Sequence, residues 1–436
     1  MQDPSRILEC ARAALANGRP DVAEQHYLAL LDRAPAHGEA LAFVGMRMLR
    51  RGAAAQALPL LRDAHAAAPG DAAINENLGI ALLRCGDHAA AERHLVAALN
   101  TEPRLHRARL MLGKLRETTG EQRQAAIEYQ RAIANAQRLG IWLSPESTPR
   151  ALRDEVLHAA SYVRRYQRAL VDEIVQPLRA RHGSVALRRV EDCMAGYLRE
   201  RTMAPDDPRQ RPKTLFFPGL PAQPYLPLSA FPWLDHLRNE ADAIREELIA
   251  LRENGPDAFR PFLNFSHHAQ VERHLRNTAG AAPAWDAFFF YRHGHRDDAN
   301  HARCPRTSAA LEACPLNRIR DQAPEICFSV LTPGTHILPH HGDTNSRVVV
   351  HLPLVIPPGC ALNVGGERRE WRESEPIVFD DTFEHEAWNR GNTDRIVLIL
   401  DAWNPYLTEA ERECLAALVP VLGDFERACQ LTPRRR

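Results

Sequence analysis

The sequence predicts a multidomain α + β chain: an all-α helical-repeat solenoid at the N-terminus, followed by a double-stranded β-helix (jelly-roll) domain. Three observations lead there. The first 140 residues repeat with a period of 34, a Pro-rich break falls after residue 205, and short β-type runs follow one another from about residue 285.

Gly18, Gly52, Gly86 and Gly120 stand 34 residues apart, and Ala23, Ala57, Ala91 and Ala125 follow each glycine by five. Pro35, Pro69 and Pro103 keep the same step, as do Ala11, Gly45, Gly79 and Gly113. A period of 34 suits a helix–turn–helix unit. In each unit the first glycine allows the turn after helix A, the small residues let helices A and B approach, and the proline ends helix B. Gln137 replaces the proline of the fourth unit, as expected where an array ends.

Residues 149–200 continue the helical pattern, with apolar positions at i, i+3 and i+4. Eight prolines between Pro205 and Pro232 then exclude a continuous helix or an interior strand and imply a connector. WLDHLRNEADAIREELIALRE (233–253) returns to an amphipathic helix. Beyond it lie AFFFY (287–291), EICFSVL (325–331), SRVVVHLPLV (346–355), CALNV (360–364), PIVFD (376–380) and DRIVLILDAW (394–403). Six short strands without intervening helices argue for a sandwich or a jelly roll. The domains expected are 1–140, the repeats; 141–209, a helical and Pro-rich connector; 210–410, the β-rich domain; and 411–436, a C-terminal helix and tail.

Basic and acidic residues balance at 55 each, so no global field recruits nucleic acid or an anionic membrane surface. The opening MQDPSRILECARAAL lacks the apolar core of a signal peptide, and no stretch of about 18 apolar residues suggests a membrane span. Nine cysteines without CxxC spacing read as free thiols in a reducing compartment, so a cytoplasmic location is expected.

Histidines and carboxylates cluster in HILPHHGDTNSRVVVHLPL (336–354) and FDDTFEHEAWN (379–389). A mononuclear iron(II) oxygenase needs two imidazoles, usually a carboxylate, and open positions for oxygen and a cosubstrate. It also needs a cation for the far carboxylate of 2-oxoglutarate, and Arg395 stands ten residues after His385 on the next expected strand. Two pairings with His385 are open. His340 offers one, and the triplet His341-Gly342-Asp343 offers a facial triad, since residues i and i+2 share a strand face.

At this point the sequence resembles the aspartyl/asparaginyl β-hydroxylases. The matching motifs are CFSVLTPGTHILPH (327–340), the block Asn345, Arg347 and His351, FDDTFEHEAW (379–388) and Arg395. FFPGLPAQPYLP (216–227) and WDAFFFYRHG (285–294) match the lead-in, and the N-terminal units resemble tetratricopeptide repeats, which some members carry. The resemblance implies Fe(2+), 2-oxoglutarate as cosubstrate, and O2. His340 and His385 would ligate the metal, Gly342 standing where other oxygenases have a carboxylate. Ser329 and Arg395 would bind the distal carboxylate of 2-oxoglutarate, and His351 would sit near its chelating end. Asp381 would act through the metal-bound water, and Trp285 and Arg347 would meet the substrate. The family's spacing to His351 favours His340 over His341. Members acting on aspartate often have a second arginine two residues after Arg347; here that residue is Val349.

The function expected is hydroxylation of an Asp or Asn side chain in a peptide or protein held by the repeat groove. The alternatives are an oxygenase of a free small molecule or lipid, and a non-catalytic repeat scaffold.

Overall fold

The computed structural model describes residues 3–263, 271–277 and 282–430, and its contacts divide the chain into two units, Met1–Ala169 with Asp424–Arg436, and Leu170–Gly423. The expected connector 141–209 is therefore shared between them.

The first unit opens with four antiparallel helix pairs: α1 (Pro4–Ala16) with α2 (Pro20–Leu31), α3 (Gly38–Arg50) with α4 (Ala54–Ala67), α5 (Ala72–Arg84) with α6 (His88–Thr101), and α7 (His106–Thr118) with α8 (Gln122–Arg138). The repeat glycines turn each pair: Gly18, Gly52, Gly86 and Gly120 all have positive φ, between +66° and +87°. Within the pairs the small residues permit contact. A Cβ on Gly79 would lie 2.8 Å from Leu95, and one on Gly113 would lie 2.6 Å from the Tyr129 ring. Ala23, Ala57, Ala91 and Ala125 are fully buried. This is the tetratricopeptide-like array the period implied.

Four further helices precede the sheets, α9 (Arg153–His182), α10 (Arg188–Tyr197), α11 (Leu234–Asn239) and α12 (Ala241–Asn254). The helix expected over 233–253 is thus broken at Glu240, which ends one helix and precedes the next.

Two antiparallel sheets follow. The larger contains β1 (Arg260–Pro261), β3 (Trp285–Arg292), β5 (Ile326–Leu331), β12 (Arg395–Trp403), β7 (Arg347–Val355) and β10 (Ile377–Phe379) in that order, with β4 (His295–Arg296) paired to β3. The smaller runs β2 (Leu275–Asn277), β6 (Thr335–His340), β11 (His385–Asn389), β8 (Cys360–Val364) and β9 (Glu367–Arg369). The six expected strands are present. Between β4 and β5, however, the chain forms two short helices, α13 (Asp298–Arg303) and α14 (Pro305–Glu312), where strands without intervening helices were expected. Asp297 caps α13 by accepting from the Asn300 N–H, and Pro305 starts α14. The last helix is α15 (Glu409–Cys429).

Both faces of the larger sheet are covered, which explains the nearly unbroken apolar runs of β7 and β12. Ile396, Leu398 and Leu400 pack with Leu237, Ile244 and Leu311 from the helices. Val397 and Ile399, on the alternate face, pack with Ile337, Leu362 and Ala387 of the smaller sheet. Each such side chain stabilises the sandwich by roughly 1.5–3 kcal/mol relative to exposure. The Pro-rich stretch is no loose connector: Phe217, Leu220, Tyr225 and Leu226 are buried, and Leu226 N–H donates to Val378 O at 3.0 Å.

Candidate functional site

Between the two sheets lies a cavity of about 580 Å³. Trp285, Ser329, His340, Arg347, His351, Asp381, His385 and Arg395 all line it, so every site residue expected from the sequence reaches one space.

Strand pairing builds its histidine-bearing end. His340 closes β6 and His385 opens β11, and the two are direct partners in the antiparallel register. Their rings lie 4.1 Å apart between centroids. His340 Nδ1 sits 2.8 Å from Leu338 O and His385 Nδ1 sits 3.0 Å from Phe383 O. A carbonyl accepts only, so Nδ1 carries the proton and Nε2 keeps its lone pair on both rings. Burial pushes both imidazoles down to about 4, with the facing His385 adding to the shift of His340 and the Phe383 carbonyl opposing that of His385. Both are neutral at pH 7, the state a metal requires. His341, one residue on, does not line the cavity; Asp343 lines it but is only half-buried, its carbonyl accepting from the Thr214 and Leu215 N–H groups. Among the described residues no group of three or more His, Cys, Asp or Glu side chains has the arrangement to hold a metal ion, so the facial triad of His341, Asp343 and His385 is not assembled.

Asp381 fills the space that a side chain at position 342 would occupy. A Cβ on Gly342 would fall 2.2 Å from its carboxylate, and Gly342 N–H donates to Asp381 O at 2.6 Å. Burial raises the Asp381 carboxyl above its usual range against the opposing pull of Arg347. Its Oδ2 accepts from Arg347 Nη2 at 2.9 Å, whereas its Oδ1 is buried without a partner.

At the other end, Arg395 is 1% exposed, and its Nε and Nη1 have no hydrogen-bond partner. Its guanidinium lies 5.0 Å from the centre of the Trp371 ring. Burial lowers it to about 10. A buried guanidinium with two nitrogens lacking an acceptor is unfavourable unless an anion or other acceptor completes it. Ser329, on the neighbouring strand, is fully buried and accepts from Trp285 Nε1 at 2.9 Å. Trp285 stacks on Phe262 at 4.0 Å. His351 is buried with Nδ1 unpartnered and is held well below the ordinary imidazole range, by burial first and then by the Arg395 and His385 charges.

Arg347 differs from expectation. Instead of facing the cavity free, it bridges Asp381 and Asp401, each at 2.9 Å. Burial works against its charge, but the two carboxylates outweigh burial and keep it protonated. Asp401 and Trp371 went unremarked in the sequence. A signal existed for Asp401: Arg395, Val397, Ile399 and Asp401 alternate onto one strand face, and a carboxylate ending an apolar series is unusual there.

The two-sheet antiparallel sandwich thus brings two neutral histidines and a buried arginine with two unpartnered nitrogens into one cleft. Residues 238–405 match the family model described as aspartyl/asparaginyl beta-hydroxylase, and this part of the chain is similar to that family. Aspartate beta-hydroxylase domain-containing protein 2 of Rattus norvegicus is 32% identical over 212 residues, which are 47% of this chain and 58% of the relative. The aspartyl/asparaginyl beta-hydroxylase of Homo sapiens is 33% identical over 176 residues, 40% of this chain and 21% of the relative. The chain thus spans little more than half the length of the first relative and far less of the second. Among solved structures, MamA 41-end from Desulfovibrio magneticus RS-1 is 22% identical, covering 31% of this chain and 77% of its own at a TM-score of 0.28. The Thermobaculum terrenum O-GlcNAc transferase is 26% identical, covering 31% of this chain and 28% of its own at 0.27. Neither score carries an argument.

Proposed function

We propose that the chain is an Fe(II)- and 2-oxoglutarate-dependent oxygenase that hydroxylates an Asp or Asn side chain of a peptide or protein. The observation that carries this reading is Arg395, a buried guanidinium with two unpartnered nitrogens, facing the same cavity as two neutral, inward histidines. The facing antiparallel sheets support a jelly roll, and the helix pairs support a groove that presents the peptide. Nine free cysteines support work in the cytoplasm.

The donor set fits the cofactors. His340 and His385 would hold the metal through Nε2, and Arg395 and Ser329 would hold the distal carboxylate of 2-oxoglutarate. When bound, iron, 2-oxoglutarate and O2 supply the oxidising chemistry that places one oxygen on the substrate carbon, with succinate and CO2 as the other products. The residues of the chain bind and orient. The Leu338 and Phe383 carbonyls fix the ring planes of the two histidines. Asp381 Oδ1, held in place by Arg347, is available to accept from a metal-bound water. Trp285, stacked on Phe262, orients Ser329 through its indole N–H.

Anaerobic titration of the full chain with Fe(II) and 2-oxoglutarate tests this. A charge-transfer absorption band and, on admitting oxygen, succinate formation are expected. Absence of both would overturn the reading.

A further inference from the structure

The inner face of the larger sheet changes polarity from end to end. Arg395 and Ser329 lie at one end, Ile399 and Cys327 pair across the middle, and Asp401 and Glu325 lie beyond them. Asp401 Oδ2 accepts from the Glu325 N–H at 3.0 Å, and its Oδ1 accepts from Arg347. Glu325 accepts from the His293 N–H at 2.9 Å and stands in the cavity wall. Across from Asp401 on β7 the register places Val349, which is apolar and lines the cavity.

The charges at this far end do not balance. Among the described lining residues, Glu325, Asp343, Asp381 and Asp401 stand against three guanidiniums, Arg292, Arg347 and Arg395, of which Arg395 lies at the opposite end, and His293 Nδ1 lies 3.5 Å from Glu325. Arg347 is committed to two of those carboxylates. Arg292 lies 4.4 Å over the Phe289 ring and donates to Phe262 O at 3.3 Å. A carboxylate entering here would meet an excess of negative charge with its nearest cation already neutralised, whereas an N–H donor would find acceptors.

We infer that the side chain taken at this site carries nitrogen donors, as an amide or a cation, and is not a carboxylate, with Asp401 and Glu325 setting that choice. The inference rests on the oxygenase reading and narrows its substrate class.

The test uses the full-length protein and mixed-sequence peptide pools that differ only in a fixed central Asp, Asn, Lys or Arg. Retention of each pool on immobilised protein reads binding without turnover, and a gain of one oxygen by mass spectrometry reads reaction. The Asn pool or one of the cationic pools should exceed the Asp pool by about tenfold or more in both. The arm that wins tells amide from cation. In Asp401→Asn, with one carboxylate removed and Arg347 partly released, the Asp pool should gain about fivefold relative to the others. Glu325→Gln should shift the preference the same way and serves if the first variant does not fold. Equal or preferred binding of the Asp pool by the wild type, or no shift in either folded variant, overturns the inference. Peptide-free succinate formation is measured alongside. Its absence would instead strike the oxygenase reading, and the retention arm would still decide the charge preference.

Discussion

In the helical repeats the buried carboxylate of Glu24 lies between Arg47 at 2.9 Å and Arg51 at 2.6 Å, whereas between the sheets the guanidinium of Arg395 is buried with two nitrogens unpartnered. Burial alone would raise Glu24, but the hydrogen bonds from Arg51 and Arg47 carry it below the ordinary carboxylate range. For Arg395 nothing opposes burial strongly enough, and it falls to about 10. Arg109 and Glu128 in the repeats make another internal pair, at 2.5 Å. Charge in the repeats is settled within the protein and reports on packing. The Arg395 charge in the cleft is left unsettled, so its missing partner points to a ligand.

Arg395→Met sets the two regions furthest apart. It removes the cation proposed for the distal carboxylate, so 2-oxoglutarate affinity should fall at least about tenfold, equivalent to about 1.4 kcal/mol. Iron retention should persist. Because the native state no longer buries an unpaired charge, the melting temperature should hold or rise. A lower melting temperature with unchanged affinity would place Arg395 with the structural arginines of the repeats.

Next in size come two glycines whose spaces are filled for different reasons. Gly342→Ala would drive a methyl into the Asp381 carboxylate and loosen its contact with Arg347. Gly113→Ala would press on the Tyr129 ring between α7 and α8. Each should cost roughly 1–3 kcal/mol by overpacking. Only Gly342→Ala should also change peptide-free succinate formation, and a matching change in Gly113→Ala would contradict the separation of roles. Gly86→Ala should have the smallest effect: its φ is +85° with open space around it, so about 1 kcal/mol of backbone strain is expected. Chemical denaturation of the three variants ranks them.

The same contrast explains what the sequence made legible. Repeats announce themselves because packing demands a small residue every 34 positions, as at Gly45, Gly79 and Gly113. Strands β5, β7 and β12 were readable because both of their faces are buried and most of their residues are apolar. β6 and β11, which carry the two histidines, were not read as strands. Thr335, His336, His340, His385 and Glu386 replace the usual apolar alternation: His340 and His385 line the cavity, and His336 and Glu386 pair with each other at 2.7 Å. The local pattern left His340 and His341 open, and the family's spacing to His351 favoured His340. The partner strand decides which of two adjacent residues faces inward, and the pairing of His385 with His340 is a tertiary fact. The link from Arg347 to Asp401 spans 54 residues of sequence and left no local trace.

The metal content of four purified variants tests the central claim most directly. Iron, measured after gel filtration of His340→Ala, His341→Ala, Asp343→Ala and His385→Ala, should be lost from the first and last and kept by the other two. Loss from His341→Ala and Asp343→Ala together with retention in His340→Ala would contradict the two-histidine site built on β6 and β11.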